Sequence, residues 1–142
     1  FALAAADLAA SYAAAGWANA APLTFPDDGL YTVFGRVWDK DGGWSDYAVG
    51  VRAVNVAPVA AGGIDGPDTV PFGRPQTYSL AGLFDPADQA TLKFSFATTE
   101  AGLATAYADA GGNGFTHTPA DNAPFTVWAR VFDEDGASTT YT

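Results

Sequence analysis

The chain repeats itself, and that repetition restricts its folds more than any other feature. Residues 31–47 read YTVFGRVWDKDGGWSDY and residues 125–141 read FTVWARVFDEDGASTTY, at a constant offset of 94 and with no gap. Thr32, Val33, Arg36, Val37, Asp39, Asp41, Gly42 and Tyr47 recur as Thr126, Val127, Arg130, Val131, Asp133, Asp135, Gly136 and Tyr141. Upstream, Asn19, Thr24 and Asp27 recur as Asn113, Thr118 and Asp121. After a one-residue shift, LAASYAAAG (8–16) lies over LATAYADAG (103–111), and Phe1 over Phe96. A chain built this way is a set of similar small units rather than one large domain. Residues 57–95 have no counterpart before Phe1, and residues 49–56 have none after Thr142. The expected division is an incomplete repeat over 1–56, lacking its opening strands, and a nearly complete one over 57–142, with its last strand truncated. Both ends read as cuts in a longer polypeptide.

Short alternating runs punctuated by Gly, Pro and Asp point to an all-β chain. The second repeat predicts strands near 67–72, 75–81, 90–97, 103–108, 113–118, 124–132 and 137–142. The first predicts strands near 8–14, 20–25, 30–38 and 44–54. Seven short strands in one repeat suit an immunoglobulin-like β-sandwich in tandem. The stretch FALAAADLAASYAAAGWA is rich in alanine, which favours helix. Its partner LKFSFATTEAGLATAYADA carries Phe, Thr and Tyr at strand-like spacing, so strand is the reading for both. NVAPVAAGG (55–63) is the expected linker, because Pro58 interrupts pairing and glycines follow. A connector this short implies a semi-rigid rod.

Composition narrows the function. The formal net charge of −10 and pI near 4.1 disfavour nucleic acid and anionic membranes and favour cations. The hydrophobic fraction of 49% is enough for a core. Without cysteine there is no disulfide framework and no thiolate metal site. No apolar run reaches the roughly 20 residues of a membrane helix.

Two residue patterns carry candidate chemistry. The first is the pair of D-x-D-G turns, Asp39/Asp41 and Asp133/Asp135. Carboxylates two residues apart in a tight turn can converge on one calcium ion. Asp and Gly also form such turns for local backbone reasons alone. The second is strand alternation in YTVFGRVWD, which places Phe34, Arg36 and Trp38 on one face. Trp128, Arg130 and Phe132 repeat the pattern. Arg between rings reads as an interaction face for protein or sugar, or as a self-covered ladder in which its methylenes shield the rings. His117 is matched by Leu23, which marks it as structural. No G-x-S-x-G, H-E-x-x-H or cysteine nucleophile occurs, so no enzyme is expected.

The run DDGLYTVFGRVWDKDGGWSDYAVGVRAVNVAP (27–58) resembles the second half of a polycystic-kidney-disease (PKD) repeat. That half has an acidic turn, a Y-T-V strand, a D-x-D-G-G turn and an N-x-A-P exit. VPFGRPQTYSLAGLFDPAD (70–88) is similar to the opening strands of the same family. The family's W-D-F-G-D-G motif is replaced here by LKFSFATTEAG (92–102). The resemblance implies a seven-stranded sandwich acting as spacer or interaction module in large surface proteins. By analogy with calcium-bound members, Asp85 and Asp88, or Asp65, would add ligands to the D-x-D-G carboxylates. It also implies that large aromatics stand here where the family usually has solvent-facing threonines.

The leading expectation is a non-catalytic spacer or adhesion module, secreted or at a cell surface, stiffened by calcium. Its partners would be neighbouring repeats, copies of itself, other surface proteins or polysaccharide. Two alternatives stand beside it. One is a subunit of an extracellular filament completed by strand exchange. The other is a carbohydrate-binding module using exposed aromatics.

Overall fold

The computed structural model describes residues 1–142. It is all-β: eight strands lie in three antiparallel sheets, with only short 3-10 turns besides. No helix is long and apolar enough to cross a membrane. The chain forms two compact units, Phe1–Val54 and Asn55–Thr142.

The first unit is a long hairpin with a loop folded on it. β1 (Gly29–Trp38) and β2 (Trp44–Ala53) pair without interruption from Gly29↔Ala53 to Trp38↔Trp44. β-branched and aromatic residues at alternate positions favour this pleated pairing. Before it, residues 5–7 and 12–14 form 3-10 turns. Ser11 begins the second, its hydroxyl accepting the Ala14 N–H at 3.3 Å. Ala2 bridges to Phe34 on the free edge of β1.

The second unit has two three-stranded sheets. One orders β3 (Val59–Asp65), β4 (Gln76–Phe84) and β6 (Phe115–His117); the other orders β5 (Lys93–Ala97), β7 (Trp128–Phe132) and β8 (Ser138–Tyr141). Ala60 and Leu80 from the first sheet meet Phe94, Ala129 and Val131 from the second in one buried cluster. Ile64, Leu83, Leu92, Phe96 and Tyr141 pack around it. This shared apolar layer is what holds two small sheets face to face.

Several strand expectations need correction. Residues 8–14 and 103–108 hold 3-10 turns at Tyr12–Ala14 and Tyr107–Asp109 rather than strands. Residues 20–25 and 67–72 contain no strand. The expected linker is largely a strand, since β3 occupies 59–65. The glycines that suggested a linker instead make a bulge. Pairing with β4 shifts register between Ala60 and Gly63, and Gly63 takes φ +65. A Cβ on Gly62 would stand 2.9 Å from that of Ala81, so the strands approach where only glycine fits.

Candidate functional site

The two D-x-D-G turns adopt one geometry. The Asp39 N–H donates to the Gly43 carbonyl at 2.9 Å, and the Asp133 N–H to Ala137 at 3.1 Å. The Oδ1 of Asp39 accepts the Asp41 and Gly43 amides at 2.9 and 2.7 Å; that of Asp133 accepts the Ala137 amide at 2.8 Å. Gly42 and Gly136 both stand at φ +91. The first aspartate therefore has a structural task in each turn, as an Asx-type lock.

The surroundings of the two turns differ. Asp39 is exposed, and Asp41 is exposed and ion-paired with Lys40 at 2.7 Å. Asp133 is fully buried at 0% exposure. It is joined by Asp85 and Asp88, each 4% exposed, and carboxylate oxygens of the three lie within 4.8 Å of one another. Asp85 and Asp88 reach this place through the turn after β4. There Asp85 Oδ1 accepts the amides of Ala87 at 3.0 Å and Asp88 at 2.8 Å. Gln89 Oε1 accepts the Asp85 N–H at 2.9 Å. Asn55, at the entry to the unit, donates to Asp133 Oδ2 at 2.9 Å. Asp85 Oδ2 is buried with no hydrogen-bond partner.

Three carboxylates this close and this deep repel one another, and burial strengthens the repulsion. A cation bound among them relieves it. Oxygens on one calcium sit 2.3–2.6 Å from the ion, hence at most about 5 Å apart, which the cluster satisfies. An all-oxygen donor set with neither His nor Cys suits a hard cation. Of the six predicted ligands, Asp85, Asp88 and Asp133 come together. Asp39 and Asp41 lie on the exposed turn of the first unit. Asp135 and Asp65 are exposed and outside this trio. Sequence reasoning missed Asn55 and Gln89, whose amide side chains give no charge signal.

The arginine face divides in the same way. In the first unit Arg36 forms a bidentate pair with Asp46, at 2.6 and 2.8 Å. Its guanidinium carbon lies 4.0 Å from the Trp44 ring centroid and 5.7 Å from that of Trp38. Arg36 Nη1 and Trp38 Nε1 both donate to the Ala9 carbonyl, at 3.3 and 3.2 Å. The hydrogen bond from Arg36 holds the Asp46 carboxyl below its ordinary value, and Asp46 in turn raises that of Arg36. In the second unit Arg130 donates to Thr140 Oγ1 at 2.8 Å and to the Ala104 carbonyl at 2.9 Å. Phe132, expected on an exposed face, is buried at 2%; Phe34 and Trp128 are half-buried. Asp46 was legible in principle, because hairpin symmetry about the 39–43 turn sets it opposite Arg36.

His117 packs between the rings of Phe115 and Phe125, at 6.0 and 4.6 Å. A cleft of about 390 Å³ in the first unit is lined by Tyr12, Trp17, Arg36 and Trp38, with Trp17 92% exposed. Comparison with protein-family models, curated proteins and solved structures returned no match.

Proposed function

We propose that this chain is a non-catalytic spacer or adhesion module of a secreted or cell-surface protein. Its units are tandem PKD-like repeats, the first an incomplete one and the second of the immunoglobulin-like sandwich type, and the second is clamped by calcium. The observation that carries the clamp is the buried trio of Asp85, Asp88 and Asp133, with Asp85 Oδ2 lacking a hydrogen-bond partner. Calcium there ties the turn after β4 to the turn after β7. Through Asp133 it also fixes Asn55, the first residue of the unit. Fixing the start of this repeat suits a spacer, whose task is to resist deformation. The acidic surface and the duplicated sequence support the same reading.

Thermal melting with and without calcium tests it. At about 10 times Kd a bound ion stabilises by about 1.4 kcal/mol. A unit of this size gains roughly 4–8 °C per kcal/mol. Melting temperature is expected to rise with millimolar calcium, and Asp85→Asn to remove the rise. No change at millimolar calcium would sink the clamp. Trp128 is the sole tryptophan of the second unit, so calorimetry or circular dichroism follows its transition better than total fluorescence.

A second reading, polysaccharide binding, is favoured by Trp17, whose ring is exposed beside the cleft. Reduced retention of Trp17→Ala on polysaccharide gels supports it; unchanged retention removes it.

A further inference from the structure

The first unit presents an apolar sheet face, and the matched positions of the second unit show what belongs on it. In the second unit three side chains grip the β3–β4 hairpin. Val131, 0% exposed, packs in the cluster with Ala60 and Leu80. The Tyr141 hydroxyl accepts the Ala60 N–H at 2.6 Å. The Asn113 carboxamide clasps Leu80 of β4, accepting its N–H and donating to its carbonyl, both at 2.8 Å. At an offset of 94 these residues are Val37, Tyr47 and Asn19.

The first unit keeps all three, and its two apolar grips stand open. Val37 is 64% exposed and Tyr47 65%, where Val131 is buried and Tyr141 half-buried; Asn19 is exposed, as Asn113 is. Val37 and Tyr47 share one face of the β1–β2 ribbon by strand alternation and register. Val49, 59% exposed, extends it. The frame beneath this face matches too. Ala2 pairs with Phe34 as Ala97 pairs with Trp128, and Ala9 accepts from Arg36 as Ala104 does from Arg130. An apolar face flanked by a hydroxyl placed for the backbone of one strand and a carboxamide placed for that of its hairpin partner is a formed receptor.

We infer that the β1–β2 face of the first unit is a docking site for a β-hairpin patterned like residues 57–84, supplied by another polypeptide segment of the same repeat type. Alternate apolar side chains at the places of Ala60 and Leu80 fill the ground above Val37. The backbone amide at the place of Ala60 donates to the Tyr47 hydroxyl. A strand at the place of β4 offers its N–H and carbonyl to Asn19. This site uses none of the buried aspartates, so it stands or falls separately from the calcium clamp.

The test adds a synthetic peptide of residues 57–84 to the full chain and follows backbone hydrogen exchange. Saturable binding with slowed exchange in β1 and β2 is expected. Val37→Asp, a change at a position 64% exposed, is expected to keep the circular dichroism of the parent and to weaken binding at least about tenfold, because it sets a charge against the apolar peptide face. A peptide carrying Leu80→Asp is expected to fail likewise. Leu30→Ser, on the opposite face of the ribbon, is expected to bind normally. Three results overturn the inference: no protection of β1 and β2 at saturating peptide; protection confined to β7 and β8; or binding insensitive to both aspartate substitutions. Dimerisation of the chain through β1–β2, unaffected by added peptide, would assign the face to a second copy instead and also overturn it.

Discussion

Val37 and Val131 occupy matched places, yet one is 64% exposed and the other fully buried. Residue type set neither value; the sheet opposite did. Val131→Ala is therefore expected to cost the second unit about 1.5–3 kcal/mol, the loss of a buried valine's apolar surface with its packing. Val37→Ala is expected to stay within about 0.5 kcal/mol. Chemical denaturation of the two variants measures the contrast, and equal losses would contradict it. The Arg36–Asp46 pair gives a second residue-scale prediction. The Asp46 carboxyl lies below its ordinary value because Arg36 hydrogen-bonds its charged form. Its contribution is thus complete above the unfolded carboxyl value, about 3.9, and is lost as pH falls through the lowered folded value. Trp44 stacks on Arg36 and reports the change. Near-ultraviolet circular dichroism is expected to hold from neutral pH to about pH 4 and to shift below it. Asp46→Asn is expected to abolish that step; an identical step in the variant would contradict the assignment.

At the scale of elements, the D-x-D-G turns carry the sharpest local demand. Gly136 at φ +91 lies where a Cβ is strained. Gly136→Ala is expected to destabilise the second unit by about 1–2 kcal/mol, read from its urea midpoint; an unchanged midpoint would contradict this. These turns, β1, β2 and the pairing partners β7 and β8 were legible, because alternating β-branched and aromatic residues flank an Asp–Gly signal. Two kinds of element were not. β3 hid behind Gly62, which closely approaches β4, and Gly63, which stands at φ +65; together they break the alternation that marks a strand. The short turns at Tyr12–Ala14 and Tyr107–Asp109 hid for a different reason. A 3-10 turn of three residues has too few positions to show a period. In the second it is held by a distant anchor, the Tyr107 hydroxyl donating to the Thr91 carbonyl at 2.8 Å. The candidate site was half legible: acidic residues announced themselves, but burial separated Asp133 from its exposed counterpart Asp39. That separation depends on Asp85 and Asp88, which reach Asp133 only in the fold.

For the whole molecule, the net charge of −10 has two components with different consequences. Exposed acids such as Asp41 and Asp135 keep the surface anionic and are screened by salt. The buried trio is shielded from salt by protein. Isothermal titration calorimetry of calcium into the chelator-stripped chain tests most directly the proposal that this trio holds one calcium. Saturable binding of one ion per chain is expected, with Kd on the order of 0.1–1 mM as in extracellular calcium modules. Asp85→Asn is expected to lose binding and Asp39→Asn to retain it. No saturable binding, or binding lost in Asp39→Asn and kept in Asp85→Asn, would contradict it.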